Sequence, residues 1–407
     1  MARINGSDFS VDTTILECGG LTPLFFALRP SPFALSSLPF ALCFSSPVYI
    51  FSRLRNDHKT QLFIMRIGIL TAGGDCPGLN AAIRAVARCA FSDGVDVLGI
   101  RNGYLGLFEN DVEPLTRTTV SGILPRGGTI LGTSRFNPAK NEESIPRMIE
   151  NWNTHQLAGL IVVGGEGSLS AARDLCRDHQ MQIVGVPKTI DNDVCGTDYT
   201  FGFDTAVSIV TDAIDRLHST AESHHRVMVV EVMGRHTGWI AAHGGIAGGA
   251  DVILVPEHPF RISRVCDLLL QRKQQGRAFS IVVVAEDAHT HADEDFLTQE
   301  QGVSLYRHDR LGGIGEALAA EIERCTGIQT RVTKLGYVQR GGSPTAFDRI
   351  LATRFGIKAY EMVRAGEWGQ MTALRGTRIV SVPLEDAVGD LKRLDEEIYR
   401  VAEVFFG

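Results

Sequence analysis

The sequence is short of basic charge, of paired cysteines and of the familiar nucleotide fingerprints. Forty Lys and Arg stand against 47 Asp and Glu in 407 residues, a net charge of -7. That deficit argues against a dedicated binder of nucleic acid or of an anionic membrane, whose attraction to phosphate shows as a basic excess; a local basic pocket is still allowed. The eight cysteines are scattered, with no Cys-x-x-Cys pair. Neither a disulfide framework nor a zinc site is therefore expected, and the cysteines read as buried thiols in a reducing cytoplasm. There is no Gly-x4-Gly-Lys-Ser/Thr loop, and no His-Arg-Asp or Asp-Phe-Gly set of a protein kinase. What is abundant is glycine: 43 residues, over a tenth of the chain.

Residues 1–64 differ in composition from the rest. Between Cys18 and Arg55 there is no acidic residue, and Pro, Ser, Phe and Leu crowd together. The uncharged run between Arg29 and Arg53 is long enough to span a bilayer, but Pro30, Pro32, Pro39 and Pro47 break any helix there. A transit peptide would be Ser-rich and acid-poor, yet Asp8, Asp12 and Glu17 sit near the start and no Arg-rich amphipathic helix appears. The expectation is a disordered extension, with the fold beginning at Met65.

From Met65 onward, short β-branched runs alternate with amphipathic stretches. Ile67–Leu70, Val95–Ile100, Leu160–Val163 and Ile183–Val186 read as buried parallel strands, and Leu79–Phe91 and Ala206–Thr220 as crossover helices. A second series has strands at Val227–Val232, Val252–Val255 and Ile281–Val284. This is the βαβ rhythm of a doubly wound α/β protein, twice over: two Rossmann-like three-layer αβα domains with mainly parallel sheets. The acidic, His-bearing stretch from Glu286 to Arg310 reads as a solvated loop rather than a site.

Open parallel sheets bind ligands beyond the carboxyl ends of their strands. Three polar loops stand there: Gly73-Gly74-Asp75-Cys76-Pro77-Gly78, Gly164-Gly165-Glu166-Gly167-Ser168, and Pro187-Lys188-Thr189-Ile190-Asp191-Asn192-Asp193. Glycine lets backbone approach phosphate, and a helix N-terminus aims N–H donors at it. The third loop, if extended, places Thr189, Asp191 and Asp193 on one face. Carboxylates beside a phosphate cradle suggest a magnesium ion and a base for an attacking hydroxyl, the requirements of phosphoryl transfer. A dinucleotide site competes weakly, because Gly165-Glu166-Gly167 lacks the last glycine of its fingerprint. Arg226, Arg235, Arg331 and Arg340 lie at the edges of apolar strand-like runs, two of them beside glycine, and could receive an anionic substrate.

The chain from Met65 to its C-terminus resembles the 6-phosphofructokinases, through GGDCPGLNAAIR, GGTILGTSRF, GGEGS, PKTIDND, VEVMGRHTGW and QRGGSPTAFDR in that family's order and spacing. The resemblance implies a cytoplasmic homotetramer with active sites shared between subunits, ATP on the first domain and fructose 6-phosphate between domains. The first domain would be 65–202 plus about 341–395, and the second about 203–340 plus the C-terminal tail. It further implies that Asp191 is the base, flanked by Thr189 and Asp193, with Gly74 contacting the transferred phosphoryl group and Arg135 and Arg235 neutralising its charge. Glu166, Gly167 and Ser168 would hold nucleotide phosphates and metal, with Glu166 and Asp193 as magnesium ligands. Tyr104, Phe136 and Lys140 would touch the nucleotide. Met233, Gly234, Glu257, Tyr337 and Arg340 would line the sugar site, while Arg226 and Arg331 would reach the 6-phosphate from a neighbouring subunit.

The phosphoryl donor turns on two positions. By the same resemblance, ATP enzymes of the common bacterial type carry Gly at both Gly167 and Lys188, whereas pyrophosphate enzymes carry Asp and Lys. The mixture found here favours ATP, because no carboxylate at 167 opposes the nucleotide. Glu166 stands where Asp is usual, and Tyr337 where a sugar-binding His is common. Arg84 and Arg88 match effector-site arginines, with His218 and Asp251 as further members of that site. A pyrophosphate-dependent enzyme and a catalytically silent sugar-phosphate-binding subunit are the alternatives.

Overall fold

The β-branched runs become strands buried on both faces, which is why they lack any polar alternation. The computed structural model describes residues 65–291 and 313–406. The expected N-terminal extension and the 292–310 part of the acidic stretch lie outside the described residues. The chain runs β1 (Arg66–Ala72), α1 (Leu79–Ser92), β2 (Asp96–Ile100), α2 (Tyr104–Glu109), β3 (Val112–Pro114), α3 (Ser144–Thr154), β4 (Gly159–Gly164), α4 (Glu166–His179), β5 (Ile183–Thr189) and β6 (Phe201–Gly202). It continues through α5 (Phe203–His224), β7 (Val227–Val232), α6 (Trp239–Ala247), β8 (Val252–Leu254), α7 (Ile262–Gln274), β9 (Ser280–Ala285), α8 (Ile314–Thr326) and β10 (Thr330–Lys334). It ends with α9 (Ala346–Ala365), β11 (Gln370–Arg375), β12 (Arg378–Pro383), α10 (Leu384–Ala387) and α11 (Glu396–Glu403).

Two sheets result. The first has the order β12-β11-β5-β4-β1-β2-β3, with β6 added beside β5. Its centre is parallel, and antiparallel partners close both edges at β12 and β3. The second, β10-β7-β9-β8, is parallel throughout. In the first sheet Ile67 and Ile69 belong to one apolar cluster with α1 and α9, while Leu70, Leu160 and Val162 belong to another with α2, α3 and α4. Successive side chains point to opposite faces, so one run of apolar residues fills both layers.

The chain order in the first sheet reverses between β1 and β4. The loops after these two strands therefore diverge, opening the crevice where doubly wound sheets take ligands. The second sheet contributes residues beyond its own carboxyl ends, after β7 and β10, to the same place.

The cysteine expectation needs a correction. Cys266 on α7 and Cys325 on α8 form a disulfide, while Cys76, Cys89, Cys176 and Cys195 are free thiols, of which only Cys76 is fully buried. The two partners are 59 residues apart in sequence, so no local pattern announces the pair; packing of α7 on α8 brings them together. Closing such a loop removes denatured-state entropy worth about 4 kcal/mol in the chain-entropy model. Cys325→Ser is expected to lower the urea midpoint of oxidised protein, with a loss of about 2–4 kcal/mol that reductant reproduces in the parent. Equal midpoints with and without reductant would show that the bond contributes nothing.

Candidate active site

The strand-end loops meet in a cleft of about 630 Å³ lined from both sheets. The loop after β1 enters with Gly73 in a left-handed conformation (φ 83°), tied by its N–H to the Ser134 carbonyl at 2.9 Å and by its carbonyl to the Thr133 hydroxyl at 2.7 Å. Gly74 lies against the Arg340 guanidinium, which a side chain there would push aside. The loop after β4 opens α4, so Gly167 and Ser168 stand in its first turn; the Ser168 N–H donates to the Gly165 carbonyl at 3.0 Å, and the N-terminal end of the helix faces the cleft. Nothing lies within 4 Å of where a Gly167 side chain would begin.

The third loop is not extended as the spacing predicts. β5 stops at Thr189, and Asn192 turns left-handed (φ 52°), a conformation Asn tolerates, held by its amide oxygen accepting from the Thr200 N–H at 3.0 Å. The turn still brings Thr189, Asp191 and Asp193 to the cleft. The Thr189 hydroxyl accepts the Asp191 N–H at 3.0 Å, fixing the loop directly at the carboxylate. Both Asp191 Oδ1 and Asp193 Oδ1 are buried and without a partner. Burial, then the neighbouring Asp193 charge, pushes the Asp191 carboxyl well above the ordinary carboxylate range, against the pull of Arg340. Burial raises Asp193 too, opposed by hydrogen bonding and by Lys188.

Three guanidinium groups face these carboxylates. Arg135, Arg235 and Arg340 all line the cleft, and among the described residues none forms an ion pair; Arg340 Nε is buried and unpartnered. Lys188 lies beneath them, 4 % exposed, its Nζ donating to the Gly74 carbonyl at 2.5 Å. Burial pulls its pKa down from the usual lysine value. Tyr104 and Phe136 reach the cleft wall, Phe136 stacked on Phe108 at 5.4 Å. The Tyr104 hydroxyl is used on the Ser168 carbonyl at 2.8 Å, so it holds the α4 loop. Glu166 lines the cleft; Lys140 is exposed and outside its lining.

The sugar-side expectations divide. Met233 and Gly234 follow β7, and the Met233 N–H donates to Gln339 at 3.3 Å, joining the Arg235 loop to the Arg340 turn. The Glu257 carboxylate accepts the Gly238 N–H at 3.0 Å and the Leu394 N–H at 2.9 Å, and it is outside the cleft lining. Glu286, which the sequence assigns to a solvated stretch, is also outside the cleft lining but acts on it electrostatically. It follows β9, bonds the Gly234 N–H, and feels Arg340 and Asp191 electrostatically. Its position directly after a parallel strand was the signal available. Burial raises its carboxyl pKa as well.

Arg226 and Arg331 lie at the opposite ends of β7 and β10 from Arg235 and Arg340, bonded to Gln329 and to the Thr330 carbonyl respectively. They cannot serve the cleft of their own chain. Tyr337 is 78 % exposed, under the Arg340 guanidinium at 5.9 Å. Arg84 and Arg88 are on α1, outside this cleft; Asp251 is taken by Arg272 at 2.6 Å and His218 by the Gly248 carbonyl at 2.8 Å.

A glycine cradle at helix N-termini, a buried carboxylate and three unpaired arginines are what transfer of an anionic phosphoryl group requires. A family model described as phosphofructokinase matches residues 66–363. The chain belongs to the phosphofructokinase family. It is thus a phosphotransferase with an alcohol acceptor. Two curated relatives in this family come from one organism, Streptomyces coelicolor. A pyrophosphate–fructose 6-phosphate 1-phosphotransferase is 54 % identical over 84 % of this chain and 100 % of the relative. An ATP-dependent 6-phosphofructokinase 3 is 52 % identical over 83 % of this chain and 99 % of the relative. Among solved structures, a pyrophosphate-dependent phosphofructokinase from Marinobacter aquaeolei superposes with a TM-score of 0.71 at 24 % identity, covering 82 % of this chain and 86 % of that one, a likeness of fold. Overall identity within the family barely separates the two donors, so the donor must be argued from the site.

Proposed function

We propose that the protein is an ATP-dependent 6-phosphofructokinase, transferring the γ-phosphoryl group of ATP to the 1-hydroxyl of fructose 6-phosphate to give fructose 1,6-bisphosphate and ADP. The observation that carries the reaction is the buried, unpartnered Asp191 oxygen in the same cleft as three arginines without carboxylate partners. Asp191 takes the proton of the attacking hydroxyl as its oxygen bonds to phosphorus. Arg135, Arg235 and the N–H groups at Gly74 and the start of α4 stabilise the charge on the transferring group, and ADP leaves. Arg340, Met233, Gly234 and Glu286 hold the sugar phosphate. Arg226 and Arg331, facing away from their own cleft, serve a neighbouring subunit in a homotetramer.

The donor is argued from Gly167. The open space at its α-carbon leaves room for a nucleotide, and there is no carboxylate to repel the phosphates. Lys188 under the Gly74 carbonyl favours the pyrophosphate reading instead, since it adds a cation where a small diphosphate would sit.

Magnesium fits the site in a limited way. Among the described residues no group of three His, Cys, Asp or Glu could hold a metal. The orphaned Asp193 oxygen, with Glu166 across the cleft, suits an ion held by one or two carboxylates and completed by substrate phosphates. When bound, it would neutralise phosphate charge. No helix among the described residues is long and apolar enough to cross a membrane, and we place the enzyme in the cytoplasm.

The test is a donor assay with fructose 6-phosphate and magnesium, offering ATP or pyrophosphate separately. ATP is expected to support turnover at least about tenfold better in kcat/KM, a difference of about 1.4 kcal/mol in transition-state binding. Turnover with pyrophosphate alone overturns the donor, and none with either points to the silent binding subunit.

A further inference from the structure

The segment between α10 and α11 crosses the catalytic cleft and is pinned on both sides of it. Gly389 and Leu391 form part of the cleft wall. On one side, Leu391 bridges Val194, the Lys392 N–H donates to the Asp193 carbonyl at 2.9 Å, and Lys392 Nζ donates to the Thr197 and Asp198 carbonyls at 3.0 and 2.6 Å. On the other side, the Lys392 carbonyl accepts the Trp239 indole N–H at 2.9 Å, and Lys392 Nζ lies 5.0 Å from the Trp239 ring centre. Two residues on, the Leu394 N–H donates to Glu257, whose carboxylate also binds Gly238 at the head of α6. One short segment thus joins the loop bearing Asp191 and Asp193 to the loop that runs from Arg235 into α6.

We propose that residues 389–394 act as a strap that sets the spacing between the Asp191 loop and the Arg235 loop, and that Lys392 is its positioning residue. This rests on the reading of Asp191 as the base. Lys392 touches no reacting atom; it holds the carbonyls of the turn that follows the base. Removing this half-buried ammonium leaves the Thr197 carbonyl without its side-chain donor and the Asp198 carbonyl with only the longer bond from the Asn192 amide at 3.4 Å. Because in-line transfer depends on the placement of the base relative to the phosphoryl group, a shift of about 1 Å can cost on the order of 10²-fold in rate.

The test compares Lys392→Met, Lys392→Arg and Trp239→Phe in the full chain, with Asp191→Asn alongside. Lys392→Met keeps the stem against Trp239 and deletes the ammonium bonds. It is expected to lower kcat by about 10–100-fold while KM for fructose 6-phosphate moves less than about threefold. Lys392→Arg, which can still donate to both carbonyls, is expected to recover kcat to within about fivefold of the parent. A role limited to holding the fold would change the thermal midpoint without this split between kcat and KM. If Lys392→Met does not fold, Trp239→Phe decides: it removes one hydrogen bond and is expected to lower kcat by about threefold or more with KM unchanged. Parental kcat in folded Lys392→Met, or in Trp239→Phe where that variant decides, overturns the strap while an inactive Asp191→Asn leaves the base intact. Parental activity in Asp191→Asn overturns both.

Discussion

Asp191→Asn is expected to lower kcat by about 10²–10⁴-fold, the usual contribution of a positioned general base. Asn keeps the size and the turn around Asn192 but cannot take a proton. Fructose 6-phosphate affinity should stay within about threefold of the parent, because the arginines that meet the phosphate are untouched. The parent's pH profile supplies a second reading of the same group. With its pKa raised by burial and by Asp193, Asp191 is protonated across a wider acid range than a free carboxylate. Activity should therefore fall as pH drops through a value above the ordinary carboxylate range, by about tenfold per unit, and this limb should vanish in Asp191→Asn. A variant within tenfold of the parent, with the acid limb intact, would remove Asp191 from the mechanism.

Gly167→Asp is expected to reverse the donor preference. The new side chain would enter open space, and Gly167 sits in the first turn of α4 without a left-handed backbone. Folding should be unharmed, since a carboxylate near a helix N-terminus is mildly stabilising, by about 0.3–1 kcal/mol. The charge would, however, stand against the nucleotide phosphates. At roughly 4 Å and an effective dielectric near 20, two unit charges repel by about 4 kcal/mol; exposure of the site weakens this, so ATP turnover should fall by about 10²-fold. Pyrophosphate, lying nearer Gly74 and Lys188, should be spared and so become the better donor. ATP kcat/KM within threefold of the parent would show that Gly167 does not select the donor.

The glycine loops are legible because they punctuate strands. Gly73-Gly74 and Gly165-Glu166-Gly167 follow β-branched runs and precede amphipathic helices, a local pattern that needs no tertiary knowledge. Val227–Val232 is legible to the residue, since a strand buried on both faces is almost continuously apolar. The failures have a common cause. Glu286 was lost because the acidic residues that follow it suggest solvent, although it stands at the end of β9. Only the fold reveals that Glu257 accepts the Gly238 and Leu394 N–H groups. The Cys266–Cys325 bond depends on two helices meeting.

Sequence alone determined the two series of βαβ units and the three loops at their carboxyl ends, because strand period and glycine punctuation are local properties; the choice of Asp191 as base is what the family resemblance implies. Only the tertiary structure decided how those parts meet: that Arg340 lies on Gly74, that Lys188 holds the Gly74 carbonyl, and that Lys392 ties the base loop to α6. Each of these joins residues distant in the chain. Such contacts follow from how two sheets and their helices pack, and hydrophobic periodicity carries no record of which loop ends will face each other across the cleft.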